Sequence, residues 1–302
     1  MRRIFVPLLI LSILWWGSPA LSGQLDEKML LSVIYERFKW DKKIENLKLE
    51  HLSIQKKIPI KIGDLSLWAV RIHIKLESPK EKAKTGTLDL VTDDKAKWQF
   101  ENVSDLKTGH PLLEKALAEL TKLNIDPRMG QVIFRGEGNK TVIFVADNFC
   151  SLCRMAHQEL PGVYSDRIKE LVLIYLPLKT NLGAELACSV SSYVHNQKDL
   201  KQYAREVDDF IFNELQSPET KDINAANAAV YEAFKSKLPW FAREFSGLSI
   251  GKAFEKLRAG SNIEGQMRYA SNLGLIGTPT IFVDGKRIDG LDWKKFERFL
   301  TY

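Results

Sequence analysis

The sequence predicts a two-part α/β protein: a small α+β domain over residues 24–125, then an α/β domain over 126–302 with a helical insertion at about 181–270. Three observations lead there. Trp68, Val70, Ile72, Ile74 and Leu76 alternate strictly with Ala69, Arg71, His73 and Lys75, the period of a strand with one face on a core and one in water. Asn124 to Gly130, containing Asp126-Pro127, interrupts the patterning and marks a boundary. Beyond it the order reads strand, strand, helix, strand, a long helical block, strand, turn and helix, which suits a sheet carrying an insertion.

Each element has a local reason. Met1-Arg2-Arg3 is a positive start, Ile4 to Trp16 is an apolar run, and small residues follow at Ser18 to Ser22, so residues 1–22 read as a cleaved signal peptide. The run is shorter than the roughly 20 residues of a spanning helix, and the expected location is the periplasm or the secreted medium. Met29, Leu30, Val33, Ile34 and Phe38 recur at helical spacing between Asp26 and Trp40. Ser78 to Gly86 reads as a charged loop, with strands at Thr87 to Val91 and Lys97 to Phe100 around the Asp93-Asp94 turn. Leu112, Leu113, Ala116, Leu117, Leu120 and Leu123 predict a helix from Pro111 to Leu123.

In the second part, Val132 to Arg135 and Thr141 to Ala146 read as strands with a tight Gly136–Asn139 connection, followed by a helix starting at Cys150. Leu171 to Leu176, unbroken and apolar, predicts a strand covered on both faces. Apolar residues then recur at helical intervals, as in Leu186, Val190 and Tyr193, or Val230, Tyr231 and Phe234. Ile281 to Val283 is a strand closed by an Asp284-Gly285 hairpin turn, and Trp293 to Leu300 is the last helix.

Composition narrows the function. The 302 residues are 45% hydrophobic and 27% charged, a globular balance. The net charge of +6 includes Arg2 and Arg3 of the leader, and the lysines are scattered, so nucleic acid is not the expected partner. Three cysteines do not make a disulfide scaffold.

Two of them carry the chemistry. Cys150-Ser151-Leu152-Cys153 follows a buried strand and opens a helix, where free N–H groups and the helix dipole favour a thiolate. Cys150 is then the attacking thiol and Cys153, one turn inside, the resolving one. A metal knuckle would need two further ligands, and no second Cys-x-x-Cys exists; a structural disulfide is the other alternative. No cofactor and no metal is expected. Ser151 and Leu152 bring neither a cation nor an imidazole, so the Cys150 pKa should not reach the bottom of the range for such thiols. His157 lies a turn beyond Cys153, and Asp147 precedes the pair; both are candidate modulators, alongside Ser151 and Leu152, with packing and turn capping as their structural readings. Cys188 reads as a buried free thiol. Thr278-Pro279 stands directly before a strand, where a cis peptide bond or an edge position would accommodate the proline.

Taken together, these features resemble the thioredoxin fold, and within it the exported bacterial Dsb proteins. That resemblance implies a thioredoxin-like domain with a cis Thr278-Pro279 loop facing Cys150 and binding a client chain. The N-terminal half, with Leu90-Val91-Thr92-Asp93-Asp94 and the leucine-rich 111–123 segment feeding Val132-Ile133-Phe134, is similar to the dimerisation domain and linker helix of the disulfide isomerases DsbC and DsbG. Two features depart from the isomerases: the Cys150 to Pro279 span leaves an insertion closer in size to that of the oxidase DsbA, and Cys188 has no fourth cysteine to pair with. The implied function is thiol–disulfide exchange on exported client proteins, as an isomerase or reductase acting as a homodimer with a membrane redox partner protein. The alternatives are a DsbA-like oxidase and a non-catalytic chaperone or copper-binding module.

Overall fold

The computed structural model describes residues 23–39, 47–76 and 84–302; the expected signal peptide at 1–22 lies outside them, as do residues 78–83 of the expected loop. The described residues form two compact units, one ending at Leu120 and the other running from Thr121 to Tyr302.

The first unit is an antiparallel sheet, in the order β1 (Leu52–Ile62), β2 (Leu65–Leu76) and β3 (Lys84–Asp93), with helix α1 (Glu27–Phe38) and a short α2 (Glu114–Leu120). Asp26 caps α1 by accepting from the Met29 N–H at 3.0 Å. The helix buries Leu30 and Ile34 with Val70, Ile72 and Leu90 of the sheet. The other sheet face is not left to water as expected: Leu67, Ala69 and Val91 are buried with Leu113 and Leu120. On this face β2 presents polar groups only from Arg71 onward, where the guanidinium pairs with Asp89 at 2.7 Å.

β1 is the element that alternation concealed. Its Lys56-Lys57 pair and Pro59 dilute the pattern, and they are tolerated because β1 is an edge strand with a register shift between Ile54 and Lys56. The expected loop at 78–86 gives way to strand from Lys84, and the expected strand at Lys97 to Phe100 is not one. Asp93 Oδ1 accepts from the Lys97 and Trp98 N–H groups at 2.8 and 2.9 Å, which holds that segment in a turn touching β3 through a single bridge from Gln99 to Thr92. The helix expected over 111–123 is confined to α2; beyond it the Leu123 N–H donates to Gly285 O at 3.0 Å.

The second unit holds a five-stranded sheet in the order β4 (Gln131–Arg135), β6 (Ile168–Tyr175), β5 (Lys140–Ala146), β7 (Thr280–Val283) and β8 (Lys286–Asp289). The tight connection between β4 and β5 is therefore not a hairpin, because β6 enters between them, parallel to β5 and antiparallel to β4. The order implies a crossover after β5, supplied by α3 (Ser151–Val163). β6 is buried through Leu171 to Tyr175, as its apolar run requires.

The insertion comprises α4 (Ala184–Asn196), α5 (Ala204–Asp209) continued by a π-turn at Phe210–Glu214, α6 (Ile223–Lys237), α7 (Pro239–Glu244), α8 (Ile250–Gly260) and α9 (Ile263–Asn272). α4 is buried almost throughout, and Phe210, Phe234, Phe241 and Phe245 pack ring on ring around it. The β7–β8 hairpin turns on Asp284 and Gly285, both with positive φ, as a type I′ turn demands. Helix α10 (Trp293–Thr301) closes the chain. No helix among the described residues is long and apolar enough to cross a membrane.

Candidate functional site

β5 is buried from Val142 to Ala146 and delivers the chain to a tight loop, Asp147 to Phe149, before α3 begins. Cys150 is the N-cap of α3, with extended backbone and no side-chain cap, so the first-turn N–H groups stay free for its own sulfur. The half-buried thiol is lowered to about 6, first by hydrogen bonding from the Cys153 thiol and further by the Thr278 hydroxyl and the N–H groups of Cys153 and Leu152, against the opposing effect of burial. The value lies within the range for thiols at helix N-termini and above its bottom.

Cys153 is fully buried one turn on, and burial together with the neighbouring Cys150 pushes its thiol far up. One sulfur is thus poised as a thiolate and the other holds its proton.

Thr278-Pro279 reaches this pair through the sheet. β7 runs antiparallel to β5 with Thr280 opposite Val145, which carries the loop ahead of β7 to the end of β5. The Thr278–Pro279 peptide is cis, and the Thr278 carbonyl accepts from the Cys150 thiol at 3.4 Å. The Thr278 hydroxyl is buried beside the pair and makes no hydrogen bond of full geometry among the described residues. Pro279 O is held by the Gly290 N–H at 2.9 Å.

Asp147 shapes the loop. Its Oδ1 accepts from the Phe149 N–H and its Oδ2 from the Leu178 N–H, both at 2.7 Å, and its carbonyl accepts from the Cys150 N–H at 3.2 Å. Burial raises its carboxyl above the usual range. Ser151 and Leu152 are exposed, and Leu152 acts on the sulfur through its backbone alone. The buried His157 ring stacks on Phe212 at 4.3 Å, and burial lowers its pKa. Cys188 is a buried free thiol whose S–H donates to Asn148 Oδ1 at 3.2 Å, and burial raises it well above the ordinary value. The described residues contain no group of three or more His, Cys, Asp or Glu side chains arranged to hold a metal ion.

Sequence reasoning missed Arg154 and Asn148. Arg154 follows Cys153 and touches the loop ahead of Cys150; its only advance signal was a cation beside the pair, and nothing in the spacing showed where it would point.

Comparison with solved structures finds BdbD from Bacillus subtilis in its oxidised form, with 15% identity over 60% of this chain and 96% of that one and a TM-score of 0.43. It also finds a thioredoxin-like oxidoreductase from Silicibacter pomeroyi, with 21% identity over 59% and 96% and a TM-score of 0.40. A periplasmic thioredoxin-like protein from Salmonella enterica serovar Typhimurium matches at 17% identity over 61% and 94%, with a TM-score of 0.38. Comparison with curated proteins gives no match. The thioredoxin family matches residues 130–301, which hold the five-stranded sheet, the cysteine pair, the insertion and the cis-proline loop, and with more than half of its length covered the chain belongs to that family.

Proposed function

We propose that the protein is an exported thiol–disulfide oxidoreductase that acts on disulfides of client proteins. The observation that carries this reading is the split between two neighbouring thiols, Cys150 lowered to about 6 and half-exposed, Cys153 raised and enclosed. At neutral pH the Cys150 thiolate attacks a client disulfide; one client sulfur leaves and takes up a proton, and a mixed disulfide forms. Cys153 then gives up its proton and attacks the Cys150 sulfur, releasing the second client thiol and leaving a Cys150–Cys153 disulfide. Two electrons have passed from the protein to the client. When a client thiol attacks the mixed disulfide instead, Cys150 returns as a thiolate and the client disulfide has moved. The Thr278-Pro279 backbone, beside Cys150, is the proposed seat of the client chain.

Within this class we favour the isomerase or reductase role. The unit ahead of the thioredoxin part supports it: in the proposed homodimer two catalytic parts share one client and exclude the oxidising partner. A DsbA-like oxidase is the second reading, favoured by the insertion from α4 to α9. The leader at 1–22 supports export, and a membrane redox partner protein would restore the working redox state. The expected outcome for Cys153→Ala is accumulation of mixed disulfides with exported proteins, seen on non-reducing gels; their absence would sink the enzyme reading. Recovery of scrambled ribonuclease faster than oxidation of the reduced form supports the isomerase role, and the reverse supports the oxidase.

A further inference from the structure

The Arg154 side chain leaves α3 and turns back over the loop that precedes its own helix. Its Nε–H donates to Asn148 O at 2.8 Å, and its Nη2 donates to Leu215 O, where the π-turn of the insertion ends. The guanidinium also lies 5.9 Å from the centre of the Phe149 ring. It is half-buried and, among the described residues, makes no ion pair. A partly desolvated cation serving two carbonyl oxygens is an unfavourable arrangement unless those bonds are made well. Only the planar fork of arginine presents several donors in fixed directions toward two acceptors.

We propose that Arg154 is a positioning residue for the reactive sulfur: it bridges the loop two residues ahead of Cys150 to the helical insertion and so holds Cys150 Sγ over the free N–H groups of α3. This rests on the thiol-exchange reading for its purpose, though not for its test. Two further contacts anchor the same loop from other sides, Leu178 N–H to Asp147 Oδ2 and Cys188 S–H to Asn148 Oδ1. Arg154 joins this loop to the end of the π-turn of the insertion from the reactive helix itself. The N–H groups of Leu152 and Cys153 act on the sulfur only while the loop keeps Cys150 at the N-cap. A loop released from Leu215 relaxes that geometry while leaving the helix dipole in place.

The test uses the full chain with Arg154→Gln and Arg154→Lys, reading Cys150 by thiolate absorbance against pH and by its alkylation rate with iodoacetamide. Both variants should titrate about one unit higher, so that at pH 6 the thiolate fraction falls from about one half to about one tenth and alkylation slows about fivefold. Wild-type titration in both variants overturns the proposal. Wild-type behaviour in Arg154→Lys alone also overturns it, because charge without the bridge would then suffice. Should the variants fail to fold, the Arg154 Nε–H of the wild type decides: slow exchange with solvent supports the bridge, and exchange at the rate of an exposed arginine overturns it. Iodoacetamide needs no client, so a shifted titration in a protein that exchanges no client disulfides would refute the proposed function and leave the positioning role standing.

Discussion

Cys150 and Cys153 are the same chemical group in two places, and place alone separates them. Cys150 caps a helix at a half-exposed position, so its charge meets N–H donors; Cys153 sits within the helix with no solvent at all. The sign of the pH dependence follows. A thiol whose pKa lies below the ordinary value gains reactivity as pH rises through that lowered value, and Cys150 alkylation should therefore climb with a midpoint near 6 and level off above about pH 7. Cys150→Ser should remove that titration entirely, since Cys153 and Cys188 stay protonated across the same window. A midpoint near the ordinary value of about 8.5 would mean that the N-cap placement does not act on the sulfur.

At the scale of elements, the loop from Asp147 to Phe149 decides where that sulfur sits. Asp147 accepts two backbone N–H groups that nothing else serves, one from Phe149 and one from Leu178. Asp147→Ala leaves both half-buried donors without this partner, and we expect a loss of about 1 to 3 kcal/mol in urea unfolding at neutral pH. Asp147→Asn, which keeps one acceptor oxygen, should lose less. Equal losses would show that the loop is held by packing alone. The strand pair β5 and β7 does the complementary work, carrying the Thr278-Pro279 loop beside Cys150 by register rather than by any contact near in sequence.

For the whole molecule the open property is assembly. The first unit has β1 and β3 as its two edges, and edge strands carry backbone N–H and C=O groups able to pair with another chain. The proposed homodimer predicts a mass in light scattering close to twice that of the processed chain. A monomer would remove the shared cleft on which the isomerase role depends and leave the dithiol chemistry as it stands.

Much of this was readable from residue order. The period-two run at Trp68 to Leu76, the buried strand at Leu171 to Leu176, the Asp284-Gly285 turn and the helix opening at Cys150 are each written within a dozen neighbouring residues, because side-chain periodicity and turn chemistry are local properties. The cysteine pair at the opening of a helix was likewise legible from four residues. What the tertiary structure alone decided is everything that joins distant segments: β6 entering between β4 and β5, Thr278 arriving at 3.4 Å from Cys150, His157 turning onto Phe212, and Arg154 reaching back to Asn148. Pairing between remote strands and the direction of a long side chain depend on which surfaces the finished fold brings together, and no local pattern encodes that.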